Sequence, residues 1–284
     1  MSLKRSVISG VQAMCRLPPL SLVLYRRGVR RNLQSLPGGH IIYGWGWDLL
    51  HPFDVLNGTD TSGSIPGEAL PDSPFSGTKW HLHCYSGSQP SIVRAALGEL
   101  PPLANFTFID LGAGKGRPIM VASEFPFKEV IGVELSYPLV DLARKNLSTF
   151  RQRHANCAPV RMKNGDAAVF PFPDGDLIIF LYNPFGEEVM KRVASNVETA
   201  LKSGSRSIFV IYYNPVYGRA FDASPSLTRY YAGTISYAAE EKGFGPDEDD
   251  PVVIWQGGST LLPKKGAGAE IRITNPGVRC ELAL

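Results

Sequence analysis

A short apolar run opens into a glycine loop in Phe106-Thr-Phe-Ile-Asp-Leu-Gly-Ala-Gly-Lys-Gly116, and a second apolar run ends on an acid in Gly132-Val-Glu-Leu-Ser136. This order predicts a strand, a glycine turn, a helix and a second strand. Glycines let a backbone approach a ligand closely, and a helix start offers N–H groups without partners. The Glu134 carboxylate can accept hydrogen bonds from both hydroxyls of a ribose. We therefore predict a site for a cofactor that contains adenosine.

The spacing of the glycines separates two classes of cofactor. Dinucleotide-binding folds favour G-x-G-x-x-G, whereas here the glycines stand at Gly112, Gly114 and Gly116, with Asp110 before the loop. Together with Glu134, this pattern resembles the first two motifs of class I S-adenosylmethionine-dependent methyltransferases. The alternative is a βαβ turn that binds no ligand.

A second resemblance lies before the glycine loop, in Tyr85-x-x-Ser88-x-Pro90. It is similar to the Tyr-x-x-Ser/Thr-Pro loop of a branch that includes the non-SET histone lysine methyltransferases, except that Gln89 is inserted here. Residues 85–256 also resemble uncharacterised bacterial-type methyltransferases of this branch. The resemblance implies that the loop folds over the cofactor and that Tyr85 and Ser88 contact it.

Strand and helix patterns alternate along the chain. The predicted strands are 106–110, 130–134, 159–163, 176–182 and 206–212, followed by a hairpin of 229–237 and 252–256. Alternation of strands and helices predicts a parallel sheet with helices on both faces. We expect an α/β, doubly wound, mostly parallel seven-stranded Rossmann-like sheet with an antiparallel hairpin at one edge. The expected regions are a basic N-terminal segment and lid or substrate wall at 1–90, the S-adenosylmethionine-binding domain at 91–258 and a C-terminal extension at 259–284.

Ligands of such a sheet bind beyond the carboxyl ends of the strands. The resemblance implies that the cofactor is bound there by Tyr85, Ser88, Asp110, Gly112, Gly114, Gly116, Glu134, Leu135, Asp166 and Ala167. Each acid also has a plainer interpretation: Asp110 as a turn cap, Glu134 as a solvated strand-end acid and Asp166 as an Asx turn.

Tyr182-Asn-Pro-Phe185 ends the fourth predicted strand. It resembles the Asn/Asp-Pro-Pro-aromatic motif of amino-group methyltransferases, although the second proline is missing. The resemblance implies that Asn183 and a backbone carbonyl orient an acceptor amine, with Tyr182 beside them and Phe185 stacked on a planar group. A proline-terminated strand end is the structural alternative. Roles for Asn214 and for the pair Asp60 and Thr61 stay open.

Composition narrows the partners and the compartment. The net charge is only +3, so nucleic acid is not indicated. No acid precedes Asp48, and this basic N-terminal segment is a solvated tail, a substrate-attracting patch, a contact with an anionic membrane or a transit peptide. No apolar run is long enough to span a membrane. Scattered cysteines and the pair His81 and His83 indicate no metal site, and we expect a reducing, cytoplasmic compartment.

These patterns predict an S-adenosylmethionine-dependent methyltransferase whose acceptor, a protein or a small molecule, is unidentified. The alternatives are a non-catalytic S-adenosylmethionine-binding module and a nicotinamide-dependent oxidoreductase, for which the glycine spacing is wrong. No histidine stands at a predicted strand end near the cofactor motifs. We therefore expect the acceptor to be positioned by Asn183, Tyr182 and backbone carbonyls and not by a histidine base.

Overall fold

The computed structural model describes residues 50–63, 65, 85–245, 248–258 and 261–265, the backbone of 271–275 and 278–282, and single helical positions at 11, 14 and 23. The rest of the predicted basic N-terminal segment lies outside the described residues. So does the pair His81 and His83.

A seven-stranded mixed sheet forms the centre of the described structure. Its strands are β1 Phe106–Leu111, β2 Glu129–Glu134, β3 Val160–Asn164, β4 Asp176–Tyr182, β5 Ser207–Tyr213, β6 Thr228–Ser236 and β7 Asp249–Gly258. The helices are α1 Pro52–Asn57, α2 Pro90–Gly98, α3 Arg117–Ser123, α4 Tyr137–Arg153, α5 Glu187–Lys202 and α6 Arg219–Asp222. Two further strands, β8 Ile271–Asn275 and β9 Val278–Leu282, pair with each other in a separate sheet.

The seven strands lie in the order β3-β2-β1-β4-β5-β7-β6. The first five are parallel, and β7 runs antiparallel to both of its neighbours. This confirms the predicted Rossmann-like sheet with an antiparallel hairpin at one edge. The chain moves outward from β1 to β3 and then returns to place β4 on the other side of β1. Strand order therefore reverses between β1 and β4, where open α/β sheets bind their ligands.

Two apolar cores cover the two faces of the sheet. One packs α2, α3 and α4 against side chains such as Phe108 and Ile178, and the other packs α5 and α6 against side chains such as Ile109 and Ile179. The alternation follows from the strand period of two. Because β4 is buried on both faces, its sequence from Leu177 to Leu181 is a continuous apolar run. This rigid centre fixes the strand ends that carry the site.

The predicted elements differ from the observed ones mainly at their ends. Ser136 is the residue before α4, and its side chain makes no capping hydrogen bond. The predicted C-terminal extension contains the β8–β9 hairpin.

Two findings bear on the predicted partners. Within the described ranges, no helix has both the length and the apolar character that crossing a bilayer requires. The same residues contain no group of three or more His, Cys, Asp or Glu side chains that could hold a metal ion.

Candidate functional site

The glycine loop between β1 and α3 has a backbone that other residues adopt at a cost. Gly112, Gly114 and Gly116 have φ values of +85°, +53° and +90°. A Cβ on Gly114 would clash with Cε2 of Tyr85, and one on Gly112 would stand 2.6 Å from Cβ of Pro184. The loop therefore needs glycine both for its left-handed turns and for the close approach of its neighbours.

Glu134 ties the loop to the end of β2. Its Oε2 accepts a hydrogen bond from the Gly114 amide at 2.9 Å, and its Oε1 accepts one from the Ser136 amide at 2.9 Å. Burial raises the pKa of Glu134, while these backbone hydrogen bonds oppose the shift. Each carboxylate oxygen can accept more than one hydrogen bond, so Glu134 keeps capacity for ligand hydroxyls.

Asp110, at the end of β1, is 1% exposed. Its Oδ2 has no hydrogen-bond partner. Burial, and then the nearby charge of Glu134, hold the pKa of Asp110 well above its usual range. The Gly114 amide donates to Glu134 and not to Asp110, so at this amide Glu134 orders the loop.

Three buried polar side-chain atoms lack a hydrogen-bond partner within the described part of the chain: Ser88 Oγ, Asp110 Oδ2 and Ser136 Oγ. All three residues are 2% exposed or less. They come from the segment before α2, the end of β1 and the turn after β2, which flank the glycine loop. Buried polar groups nearly always have partners. This set therefore fits a polar ligand such as S-adenosylmethionine at the loop.

The turn after β3 lies beside Glu134, because the Gly165 amide donates to the Glu134 carbonyl at 3.1 Å. Asp166 Oδ1 accepts a hydrogen bond from the Ala168 amide at 2.8 Å and caps a short 3₁₀-helix, Ala167–Val169. The Asx-type turn is thus present. It uses Oδ1 of Asp166, and the second carboxylate oxygen takes no part in it. The Leu135 carbonyl accepts a hydrogen bond from the Asn164 side chain at 2.8 Å.

Two asparagines end the neighbouring strands β4 and β5 in a left-handed backbone. Asn183 has φ +39° and Asn214 has φ +52°, and among the described residues no other non-glycine side chain has a positive φ. Asn183 Oδ1 accepts a hydrogen bond from the Tyr212 hydroxyl at 3.1 Å, which fixes the orientation of the amide. Strained positions of this kind concentrate at functional sites. Asn214 lies one strand further from β1.

The aromatic neighbours of Asn183 point in different directions. Tyr182 stacks on Tyr213, with ring centroids 4.1 Å apart and an interplanar angle of 27°. Phe185 is 7% exposed and belongs to the core on the α5 face of the sheet. The structure therefore offers little of the Phe185 ring to an acceptor, in contrast to the stacking role that the resemblance implies.

Residues before α2 pack against the glycine loop. The Tyr85 ring lies on Gly114, its hydroxyl donates to the Thr61 carbonyl at 2.7 Å, and Lys115 Nζ lies 5.3 Å from its ring centroid. Burial raises the pKa of Tyr85, and the Arg117 charge opposes that shift. Of the predicted pair Tyr85 and Ser88, Tyr85 therefore lies directly against the loop.

Sequence reasoning missed Arg117 and gave Lys115 no role. Arg117 is 2% exposed at the start of α3, whose residues are all buried, and it bonds to Thr61 and to the Ser88 carbonyl. Lys115 Nζ donates to the Ser62 carbonyl at 2.6 Å and to Asp60 Oδ1 at 3.2 Å. An arginine directly before the apolar run Pro-Ile-Met-Val-Ala was the available signal, because a charge there needs a buried partner.

Part of this chain matches a known family model. Residues 108–204 match a model described as a methyltransferase domain. The matched segment begins in β1 and ends after α5, so it contains the glycine loop, Glu134, Asp166 and Asn183. The match confirms the prediction that the cofactor is S-adenosylmethionine.

Several solved structures are similar to parts of this chain. A candidate RNA methyltransferase from Pyrococcus horikoshii is 19% identical, with 60% of this chain and 80% of that chain covered and a TM-score of 0.41. TrmN from Thermus thermophilus is 17% identical, with 59% and 48% covered and a TM-score of 0.44. A precorrin-6y C5,15-methyltransferase from Geobacter metallireducens is 17% identical, with 59% and 87% covered and a TM-score of 0.42.

The matched region spans about half the length of TrmN and most of the other two chains. At these identities and TM-scores, the resemblances assign no acceptor to this chain. No curated protein matches the sequence.

Proposed function

We propose, from the methyltransferase domain at residues 108–204, that this protein transfers the methyl group of S-adenosylmethionine to an amino group of a protein or a small molecule. The observation that carries the proposal is the set of three buried, unpartnered polar atoms on Ser88, Asp110 and Ser136. Leaving such an atom without a partner costs about 1–3 kcal/mol. A ligand that supplies hydrogen bonds at all three positions offsets that cost.

Different residues contact different parts of the cofactor. The glycines of the loop allow close approach, Glu134 receives the ribose hydroxyls, and Asp166 with the Ala167 amide lies at the adenine side. Asp110 and Ser88 flank the loop from opposite segments. When bound, S-adenosylmethionine would supply a methyl group on a positively charged sulfur. An acceptor lone pair can bond to the methyl carbon while the carbon–sulfur bond breaks.

Asn183 is the residue that we assign to the acceptor. Its amide oxygen can accept an N–H of an amine and so aim the nitrogen lone pair at the methyl group. The Tyr212 hydroxyl uses one lone pair of that oxygen and holds the amide in place, leaving the second lone pair for the acceptor. In this arrangement the protein contributes alignment and exclusion of water and no covalent step.

The relation to the branch that includes non-SET histone lysine methyltransferases is part of the same proposal. It is supported by the Tyr85 ring on Gly114 and by the unpartnered Ser88 hydroxyl. A cytoplasmic location is also proposed, and Cys157, a free thiol, agrees with a reducing compartment.

The test is methyl transfer from tritiated donor by the purified protein to fractionated proteins and metabolites. We expect label in an acid-stable, amine-containing product, and we expect the Asn183→Ala variant to bind the donor without forming that product. Label only on oxygen or carbon acceptors would contradict the amino-group assignment. Donor binding without any transfer would favour the non-catalytic binding module.

A further inference from the structure

Arg117 joins three separate parts of the chain. It is the first residue of α3, directly after Gly116, and it is 2% exposed. Its Nε donates to Thr61 Oγ1 at 2.7 Å, its Nη2 donates to the Thr61 carbonyl at 3.0 Å, and its Nη1 donates to the Ser88 carbonyl at 3.0 Å. One side chain of the domain thus binds both segments that wall the glycine loop.

Arg117 forms a buried ion pair with Asp54. Asp54 Oδ2 lies 3.6 Å from Arg117 Nη2, and the two side chains are 0% and 2% exposed. Asp54 Oδ1 accepts hydrogen bonds from the Thr61 amide at 3.0 Å, the Thr61 hydroxyl at 2.7 Å and the Thr59 hydroxyl at 2.6 Å. A buried ion pair is costly unless its other hydrogen-bonding positions are filled. Here they are filled, so the pair holds one defined geometry.

The segment carrying Asp54 is also attached beside the loop. Lys115 donates to the Ser62 carbonyl, and the Asn146 side chain donates to the carbonyls of Asp60 and Lys115 at 2.9 and 3.0 Å. Arg117 extends this attachment to Ser88. The Thr61 carbonyl accepts hydrogen bonds from both Arg117 and the Tyr85 hydroxyl. The position of the Tyr85 ring on Gly114 therefore depends on the same carbonyl.

We propose that Arg117, paired with Asp54, is a positioning residue for the cofactor: it places the Ser88 hydroxyl and the Tyr85 ring against the glycine loop. This inference rests on the proposed function. Arg117 acts through Ser88 and Thr61 because its donors are directed at their oxygens. Residues from 54–63 and 85–88 thus complete the cofactor site, outside the segment that matches the methyltransferase family.

The test compares Arg117→Met with a matched control, Arg206→Met. Arg206 is also a buried arginine, with 9% exposure, and it donates to the Pro173 carbonyl and to Asp174, but it precedes β5 at the opposite end of the sheet. We expect R117M to raise the Kd for S-adenosylmethionine at least tenfold and R206M to change it less than twofold. If R117M does not fold, D54N/R117M removes both charges and takes its place.

Two further readouts separate positioning from general stability. S88A should weaken cofactor binding in the wild-type background. In the R117M background, S88A should have no further effect, because Arg117 acts through Ser88. Without cofactor, amide exchange should accelerate at residues 54–63 and 85–89 in R117M and not in R206M. Equal Kd values for R117M and wild type, additive effects of S88A, or unchanged exchange would each overturn the proposal. If the wild-type protein bound no S-adenosylmethionine, the proposed function would fail first, while exchange would still report on the attachment.

Discussion

The Gly114 amide donates to Oε2 of Glu134 at 2.9 Å, which joins the glycine loop after β1 to the acid that ends β2. The two motifs stand apart in the sequence, but parallel pairing aligns their strands, with Asp110 opposite Gly132. The loop and the acid therefore form one unit before any ligand binds. Such preorganisation lowers the entropic cost of binding.

Replacing Glu134 with alanine should weaken S-adenosylmethionine binding by about 1–3 kcal/mol, because ligand hydroxyls and the Gly114 amide lose their acceptor. Glu129→Ala is the control, since Glu129 begins the same strand at its opposite end. Calorimetric titration measures both. An E134A dissociation constant equal to that of wild type would reduce Glu134 to a strand-end acid.

Alanine at Gly114 should abolish or strongly reduce cofactor binding, because its Cβ would clash with the Tyr85 ring. Gly175→Ala separates this effect from backbone strain. Gly175 has φ +95°, and a Cβ added there would meet no neighbouring side chain or backbone within 4 Å. Both variants should lose stability through the left-handed backbone, whereas a comparable loss of binding in G175A would show that strain alone is responsible.

Asn183→Ala should keep cofactor affinity and lose turnover, on the order of a hundredfold, because small misplacements of an acceptor are that costly. Tyr212→Phe should lose less, since it frees the Asn183 amide without removing it. Tyr230→Phe is the control, because the Tyr230 hydroxyl donates to the Glu99 carbonyl away from the strand ends. Steady-state kinetics with an identified acceptor decide the matter, and normal turnover by N183A would exclude the amine-orienting role.

The raised pKa of Asp110 gives a pH dependence with a definite sign. A carboxyl whose folded pKa lies above its unfolded value of 3.8 stabilises the fold at low pH, and this contribution is lost as pH rises through the folded pKa. Asp110→Asn should therefore raise the thermal midpoint of the cofactor-free protein more at pH 7 than at pH 4. Thermal unfolding at the two pH values checks this, and an equal effect at both would show that the carboxyl charge carries no penalty.

The sequence was sufficient for the sheet and the glycine loop, because buried parallel strands and left-handed turns leave local signals such as Asp176–Tyr182 and Gly112–Gly116. It did not reveal the attachment of Thr61 and Ser88 to Arg117. Those contacts join residues far apart in the chain, and no local period encodes them. The burial of Phe185 was missed for a related reason, since a motif gives residue types and not the direction in which a ring packs.

Calorimetric titration of the wild-type protein with S-adenosylmethionine, its demethylated product and NAD shows which cofactor the protein binds. The site built by Ser88, Asp110, Glu134 and Ser136 predicts that S-adenosylmethionine and the demethylated product bind with one site per chain and that NAD does not. The S88A and S136A variants, which lack the unpartnered hydroxyls, should bind S-adenosylmethionine and its demethylated product more weakly. Binding of NAD without binding of S-adenosylmethionine would contradict the account.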